Sequence, residues 1–275
     1  MRLPQHILVR VGIVGLGLMG GSLALALRKA RPQWELVGRD ADPATQQKAL
    51  EMGLVSAEDV RTTDLVVLAA PIPALPELLS GLAGYPGVVT DLASTKGRVM
   101  GWAAAAGVNL VGGHPMCGRE LSGLAAADPA LFEKAPWILT RKDPLVAEMV
   151  EAVGARPVFM DADRHDRLVA GVSHAAFVLS TAYVLALASS PDWTEMQTVA
   201  GSGFREMSRL AAGDPELYAA IVSTNRLAVT ESVRAAEASL ARVRRHLESG
   251  DSRLVELFEE AKRARDRWTG GAGDR

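Results

Sequence analysis

The chain has 275 residues, 48% apolar and 23% charged, a balance that excludes disorder over most of its length and supports one large or two ordinary buried cores. A formal net charge of −2 gives no overall field for nucleic acid or an anionic bilayer, which leaves small molecules as the expected partners. The single cysteine, Cys117, excludes an internal disulfide framework, and residues 1–10 lack the apolar core of a signal peptide, so a reducing, cytoplasmic location is expected. No run of about 18 uninterrupted apolar residues suggests a membrane span.

In chain order, residues 11–14 predict a strand that enters Gly15-Leu-Gly17-Leu18-Met19-Gly20-Gly21, and residues 22–30 have helical composition. Strand, glycine turn and helix in that order point to a dinucleotide site, against the alternative of an ordinary strand-turn-helix. Gly15 permits the turn, Gly17 lets the backbone approach a pyrophosphate, Gly20 lets helix and strand pack closely, and the helix N-terminus faces the phosphates. After a second strand at Leu36-Val37 comes Asp40, twenty residues past Gly20. A carboxylate there accepts hydrogen bonds from the adenosine ribose and favours NAD over NADP. Arg39 pulls the other way, since it could meet a 2′-phosphate, but Asp40 would repel that group.

Further strand-like runs at 65–69, 88–89, 108–111, 137–139 and 156–160 alternate with helix-like segments, which predicts a Rossmann-type, doubly wound parallel sheet over residues 1–160. Ser94 and Thr95 follow the strand at 88–89; Ser94 either contacts substrate at the cofactor edge or, with Thr95, caps a helix over 96–106. Residues 112–123, Gly-Gly-His-Pro-Met-Cys-Gly-Arg-Glu-Leu-Ser-Gly, put His114 in a glycine-flanked loop just past a strand's carboxyl end. Open α/β sheets bind ligands there, so His114 is the candidate base, against the alternative of a loop histidine that caps backbone groups. Cys117 has no base or metal-ligand spacing around it, is read as a packing or lining residue, and no metal site is expected.

From Asp161 strand signals stop, and residues 161–268 predict a helical domain. Asp161 or Asp163 caps a segment running to about Ala188 that is apolar on nearly every face and is expected to be buried all round. Within it, Ser173 and His174 are either satisfied structural groups or lining of an interdomain cleft. Arg209 stands in a segment expected to face that cleft, where a guanidinium can hold a carboxylate through two parallel bonds. Asp214-Pro215-Glu216 predicts the start of one long helix, along which Val229, Val233, Ala236, Leu240, Val243 and Leu247 form a heptad-like stripe suited to dimerisation. Residues 269–275 are expected to be a disordered tail.

Taken together, Val11-Gly-Ile-Val-Gly-Leu-Gly-Leu-Met-Gly-Gly-Ser22, Ala70-Pro71, Asp91-Leu-Ala-Ser-Thr-Lys96, Gly113-His-Pro-Met116, Ser173-His174 and Gly203-Phe-Arg-Glu-Met-Ser-Arg-Leu210 with Asp214-Pro215 resemble the prephenate and arogenate dehydrogenases of tyrosine biosynthesis. The resemblance covers nearly the whole chain. It implies a cytoplasmic homodimer that uses NAD to oxidise and decarboxylate prephenate or arogenate. It implies that His114 is the catalytic histidine on the ring hydroxyl, that Ser94 lies by substrate and nicotinamide, and that Arg209 holds a substrate carboxylate. Ser173 and His174 would line the substrate site, Glu120 and Glu206 match acidic positions near its entrance, and Gly15, Gly17, Leu18, Met19, Gly20, Asp40, Ala70 and Pro71 would hold the cofactor.

Two departures stand out. Family members often continue Ser-His as Leu-Pro-His, whereas this chain has Ala175-Ala176-Phe177 and lacks that second histidine, and Arg119 stands where a small or neutral residue is common. Two other readings remain. One is an enzyme like the 3-hydroxyisobutyrate or 6-phosphogluconate dehydrogenases, which needs a lysine base, although the helical half has no lysine before Lys262. The other is a catalytically silent NAD-sensing dimer, against which His114, Ser94 and Arg209 count together.

Overall fold

The structure, a computed structural model, describes residues 8–118, 121–250 and 253–272. Its first part alternates strand and helix: β1 (Arg10–Val14), α1 (Leu18–Ala30), β2 (Glu35–Arg39), α2 (Pro43–Glu51), β3 (Leu65–Leu68), α3 (Leu75–Gly81), β4 (Val88–Asp91), α4 (Gly97–Ala105), β5 (Leu110–Val111), β6 (Gly113–Pro115), β7 (Pro136–Leu139), α5 (Pro144–Ala152) and β8 (Arg156–Phe159). The rest is helical: α6 (Ala162–Val169), a π-helical turn (Ala170–His174), α7 (Ala175–Ala188), α8 (Trp193–Thr198), α9 (Ser202–Ser208), α10 (Pro215–Thr224), α11 (Arg226–Ser249) and α12 (Leu254–Ala272). Three of these helices begin at Asp-Pro. The carboxylates of Asp42, Asp143 and Asp214 each accept two amides of the first turn, and the proline takes a position whose missing N–H costs nothing.

Five parallel strands form a sheet in the order β2-β1-β3-β4-β5, the reversal at β1 and β3 of a doubly wound fold. Side-chain alternation covers both faces. Leu65, Val67 and Val88 join Leu23 and Leu27 of α1 on one side, while Val66, Leu68 and Val89 join Leu75, Leu79 and Val99 on the other. That second core also takes Phe177 of α7 and Ile221 of α10, so the helical half completes it.

The structure corrects several expectations. The later strands do not extend the parallel sheet: β6, β7 and β8 form a second one, with β6 antiparallel to β7. The chain leaves the first sheet through a tight passage at Gly113, where a Cβ would stand 2.5 Å from the Asp91 carbonyl. His114 is therefore on a strand and not in a loop.

The helix expected from Asp214 is interrupted at Asn225, whose buried side chain is turned inward to bond Asp166 and His174 and cannot cap α11. Nor is the segment from Asp161 buried all round. Val172 is 78% exposed and Leu185 61% in the single chain, because the inner helices contact only one of its sides. The stretch Ala162–Ala188 is also long and apolar enough to cross a membrane by length and composition, although its polar residues His165, Asp166 and His174 are buried and hydrogen-bonded within the protein. Finally, the expected disordered tail starts as helix, since α12 runs to Ala272; residues 273–275 lie outside the described residues.

Candidate active site

The site begins at the glycine turn. Gly15 has φ +93°, and a Cβ there would lie 2.6 Å from the Ala69 carbonyl, so the turn closes against the end of β3 just before Ala70 and Pro71. At Gly20 a Cβ would meet the Gly15 carbonyl at 1.8 Å, whereas above Gly17 nothing stands within 4 Å. Gly15 and Gly20 are thus required by close backbone approach, and Gly17 faces open space. Gly17 precedes α1 and makes no side-chain cap, which leaves the amides of Leu18 and Met19 in the helix's first turn for an anion. Asp40 Oδ2 accepts the Leu16 amide at 2.6 Å and Oδ1 accepts the Asp42 amide at 2.9 Å. Each oxygen keeps a second lone pair for a ribose hydroxyl.

Asp91, at the carboxyl end of β4, is buried and ties the next elements together. It accepts the amides of Ala93 and Gly113 and pairs with the buried ammonium of Lys96. Ser94 and Thr95 do not cap α4. Instead, Asp166 of α6 caps it: Oδ1 accepts the Lys96 amide and Oδ2 the Gly97 amide, both at 2.8 Å. Thr95 is occupied by Thr224, with their hydroxyls 2.9 Å apart. The Ser94 hydroxyl is half-buried and has no hydrogen-bond partner among the described residues.

Beside this turn lie three histidines. His114 Nδ1 is 2.8 Å from His165 Nε2, and His165 Nδ1 is 2.7 Å from Asp166 Oδ1. Burial first, then the neighbouring His165, Lys96 and His174, hold His114 well below the ordinary histidine value, so its ring is neutral. Burial opposes ionisation of Asp166, but hydrogen bonds from His165 and from the Lys96 and Gly97 amides keep its carboxyl below the usual range. His174 Nδ1 accepts from Asn225 Nδ2 at 3.2 Å, and the ring faces the Ser94 backbone; burial lowers its pKa to about 4. A buried, neutral imidazole is equipped to accept a proton from an alcohol.

Other expected residues stand apart. Ser173 is half-buried in the π-helical turn. Arg209 and Glu206 are exposed on the segment Ser202–Ala212, which Ser180 of α7 anchors by donating to the Met207 carbonyl and accepting the Ala211 amide. Glu120 and Arg119 lie outside the described residues. Cys117 is half-buried and burial pushes its thiol up to about 11, an unreactive state. Phe177, at the position of the absent second histidine, stacks on Tyr218 with ring centroids 4.0 Å apart.

Sequence reasoning missed His165, Asp166 and Asn225. His165 and Asp166 sit in the run Asp161-Ala-Asp-Arg-His-Asp-Arg167, which has the composition of a solvated first turn. The available signal was the four-residue spacing of His165 and Val169, which puts both on the inner face.

Residues 23–158 match the family model described as prephenate dehydrogenase, nucleotide-binding domain, and residues 161–260 match prephenate dehydrogenase, dimerization domain. The chain belongs to the prephenate dehydrogenase family. It is 30% identical to a prephenate dehydrogenase of Lactococcus lactis over 93% of this chain and 76% of that protein. Among solved structures of the family, Synechocystis arogenate dehydrogenase superimposes with a TM-score of 0.82 at 30% identity, covering 94% of this chain and 99% of that one. Prephenate dehydrogenase from A. aeolicus, in complex with hydroxyphenyl propionate and NAD+, superimposes at 0.87 with 29% identity, covering 95% and 98%.

Proposed function

We propose that this protein oxidises and decarboxylates prephenate or arogenate with NAD, and that His114 is the base. The observation that carries the reading is a buried His114, kept neutral, on β6 next to the Gly113 amide that Asp91 holds at the end of the parallel sheet. The open space above Gly17 and the uncapped first turn of α1 suit a pyrophosphate, and Asp40 suits the ribose of NAD. When bound, NAD supplies the acceptor for the hydride that leaves the hydroxyl-bearing ring carbon.

In this reading His114 accepts the hydroxyl proton and Ser94 holds the same oxygen. The C–H pair leaves as hydride, and the ring carboxylate across from it departs as CO2 while its bonding electrons aromatise the ring. His114 then returns the proton to the phenolate oxygen. Arg209 approaches from the helical side to hold a carboxylate, with Ser173, His174 and Glu206 around the substrate. Lys96, fully buried and paired with Asp91, counts against a lysine-dependent enzyme.

The same reading divides the chain at 160/161, between the end of β8 and the start of α6, and pairs two copies through the helical half. Val172, Leu185, Leu240 and Leu247 support it as large exposed apolar side chains on elements of the dimerization-domain match. A cytoplasmic enzyme fits the lone, unpaired cysteine.

The test is NADH formation with prephenate and with arogenate, beside His114→Ala. Turnover with either substrate and a loss of about 10² or more in the variant, with NAD affinity unchanged, are expected. No turnover by the wild type, or near-native turnover by the variant, would overturn the assignment.

A further inference from the structure

We infer that His165, held by Asp166, is a positioning residue that fixes His114 as the tautomer with its proton on Nδ1 and a bare Nε2. The inference rests on the reading of His114 as the base.

In the proposed state the hydrogen-bond chain runs outward from Asp166. Asp166 is ionised and a carboxylate only accepts, so the contact of 2.7 Å requires the proton on His165 Nδ1. In the proposed state that is the only ring proton of His165, so its Nε2, 2.8 Å from His114 Nδ1, accepts from it. His114, itself neutral, has no second proton. Its Nε2 is left as the basic atom.

Asp166 cannot reorient to break this order. Its other contacts are the Lys96 and Gly97 amides, which are fixed donors at the start of α4, and the Asn225 side chain holds its backbone carbonyl at 2.8 Å. Both histidines are buried and their rings meet edge-on with centroids 5.0 Å apart, so water does not substitute for either partner. Third groups that orient a catalytic base act in this way on other folds.

The charged and titratable groups facing the pair come from every neighbouring element. Lys96 and Asp91 face it from the β4–α4 turn, His174 from the π-helical turn, and Asp166 from α6, beside a groove also lined by Arg98, Asp163, Arg167 and Arg226. An imidazolium at His165 would reverse the order, donating from Nε2 to His114 Nδ1 and leaving His114 protonated on Nε2, where it could not act as a base. That is the competing state.

Two variants separate orientation from space-filling. In His165→Gln an amide nitrogen can donate to Asp166 while the amide oxygen accepts from His114, preserving the order; in His165→Leu both bonds are lost. We expect His165→Leu to lower kcat about 10²-fold, with the substrate KM within about twofold, and His165→Gln to keep kcat within about tenfold of wild type. The ring-nitrogen shifts of His114 by NMR in the NAD-bound wild type, assigned against His114→Gln, should show Nδ1 protonated near neutral pH. Equal activities in the two variants, high or low, would overturn the inference, as would a wild-type His114 protonated on Nε2. The NMR measurement stands whether or not either variant folds. It also separates the two claims, since it needs no turnover, while a wild type inactive on both substrates would remove the proposed function.

Discussion

Lys96 and Asp91 form an ion pair in which neither side chain has any exposure to solvent. The pair joins the turn after β4 to β6, because Asp91 also accepts the Gly113 amide next to His114. Removing one partner of such a pair strands the other charge. Lys96→Met is therefore expected to cost roughly 3 to 5 kcal/mol in urea unfolding, and a loss under about 1 kcal/mol, the size of an exposed pair, would show that the charge is not truly desolvated. The same substitution removes a cation that disfavours the charged form of His114, so the pKa of His114 should rise.

The acid limb of kcat/KM reports the free enzyme's base. Burial, then the His165, Lys96 and His174 neighbours, lower the pKa of His114, so activity should persist as pH falls through 6.5 and be lost only below it. A limb at or above 6.5 in initial-rate measurements would contradict this.

Stability follows the same sign. His174 protonates at about 4 in the folded chain and at 6.5 when unfolded, so between these values the unfolded state binds more protons. Stability is fully present above 6.5, falls as pH drops through that window and levels off below it. The span corresponds to about 3 kcal/mol from His174, with His114 acting in the same direction. In His174→Gln the dependence of the urea midpoint on pH should flatten; an unchanged slope would assign the effect elsewhere.

Asp40 places a negative charge where NADP would carry a phosphate. With Asp40→Asn the KM for NAD should rise and the preference for NAD over NADP should narrow, by about tenfold for one charge-assisted bond. Because Asp40 also holds the Leu16 amide, a modest loss of thermal stability should accompany the change. A wild type that prefers NADP would reverse the assignment.

Arg209→Lys keeps a charge without the two-pronged geometry, and Arg209→Ala removes both. The KM for prephenate should rise in that order, to roughly ten- to a hundredfold, with NAD affinity unchanged. A KM within about twofold of wild type in Arg209→Ala would move the carboxylate to another cation.

Leu240→Lys puts a charge on the α11 stripe, where Leu240 is 70% exposed in the single chain. Dissociation of the dimer by light scattering is expected. A wild type already monomeric at micromolar concentration would rule out the dimer.

Local chemistry was legible in the sequence. The glycine turn shows separate reasons for Gly15, Gly17 and Gly20, and the Asp-Pro pairs start helices where their capping preference puts them. Long-range satisfaction was not. Asp166 caps a helix about seventy positions earlier in the chain, so nothing near Lys96 announces the cap. The turn-off at Gly113 depends on the Asp91 carbonyl, and the break at Asn225 depends on partners in α6 and the π-helical turn. Each is a contact between segments that only the folded chain brings together.

The sharing of the second core has a bearing on how the molecule comes apart. Phe177 and Ile221 fill the same apolar cluster as Ile72, Ala93 and Val99, and Asp166 satisfies amides across the same seam. A fragment ending near residue 160 would uncover that cluster and leave the first turn of α4 without its cap. The two halves, though matched by separate family models, should therefore melt in one cooperative transition rather than two.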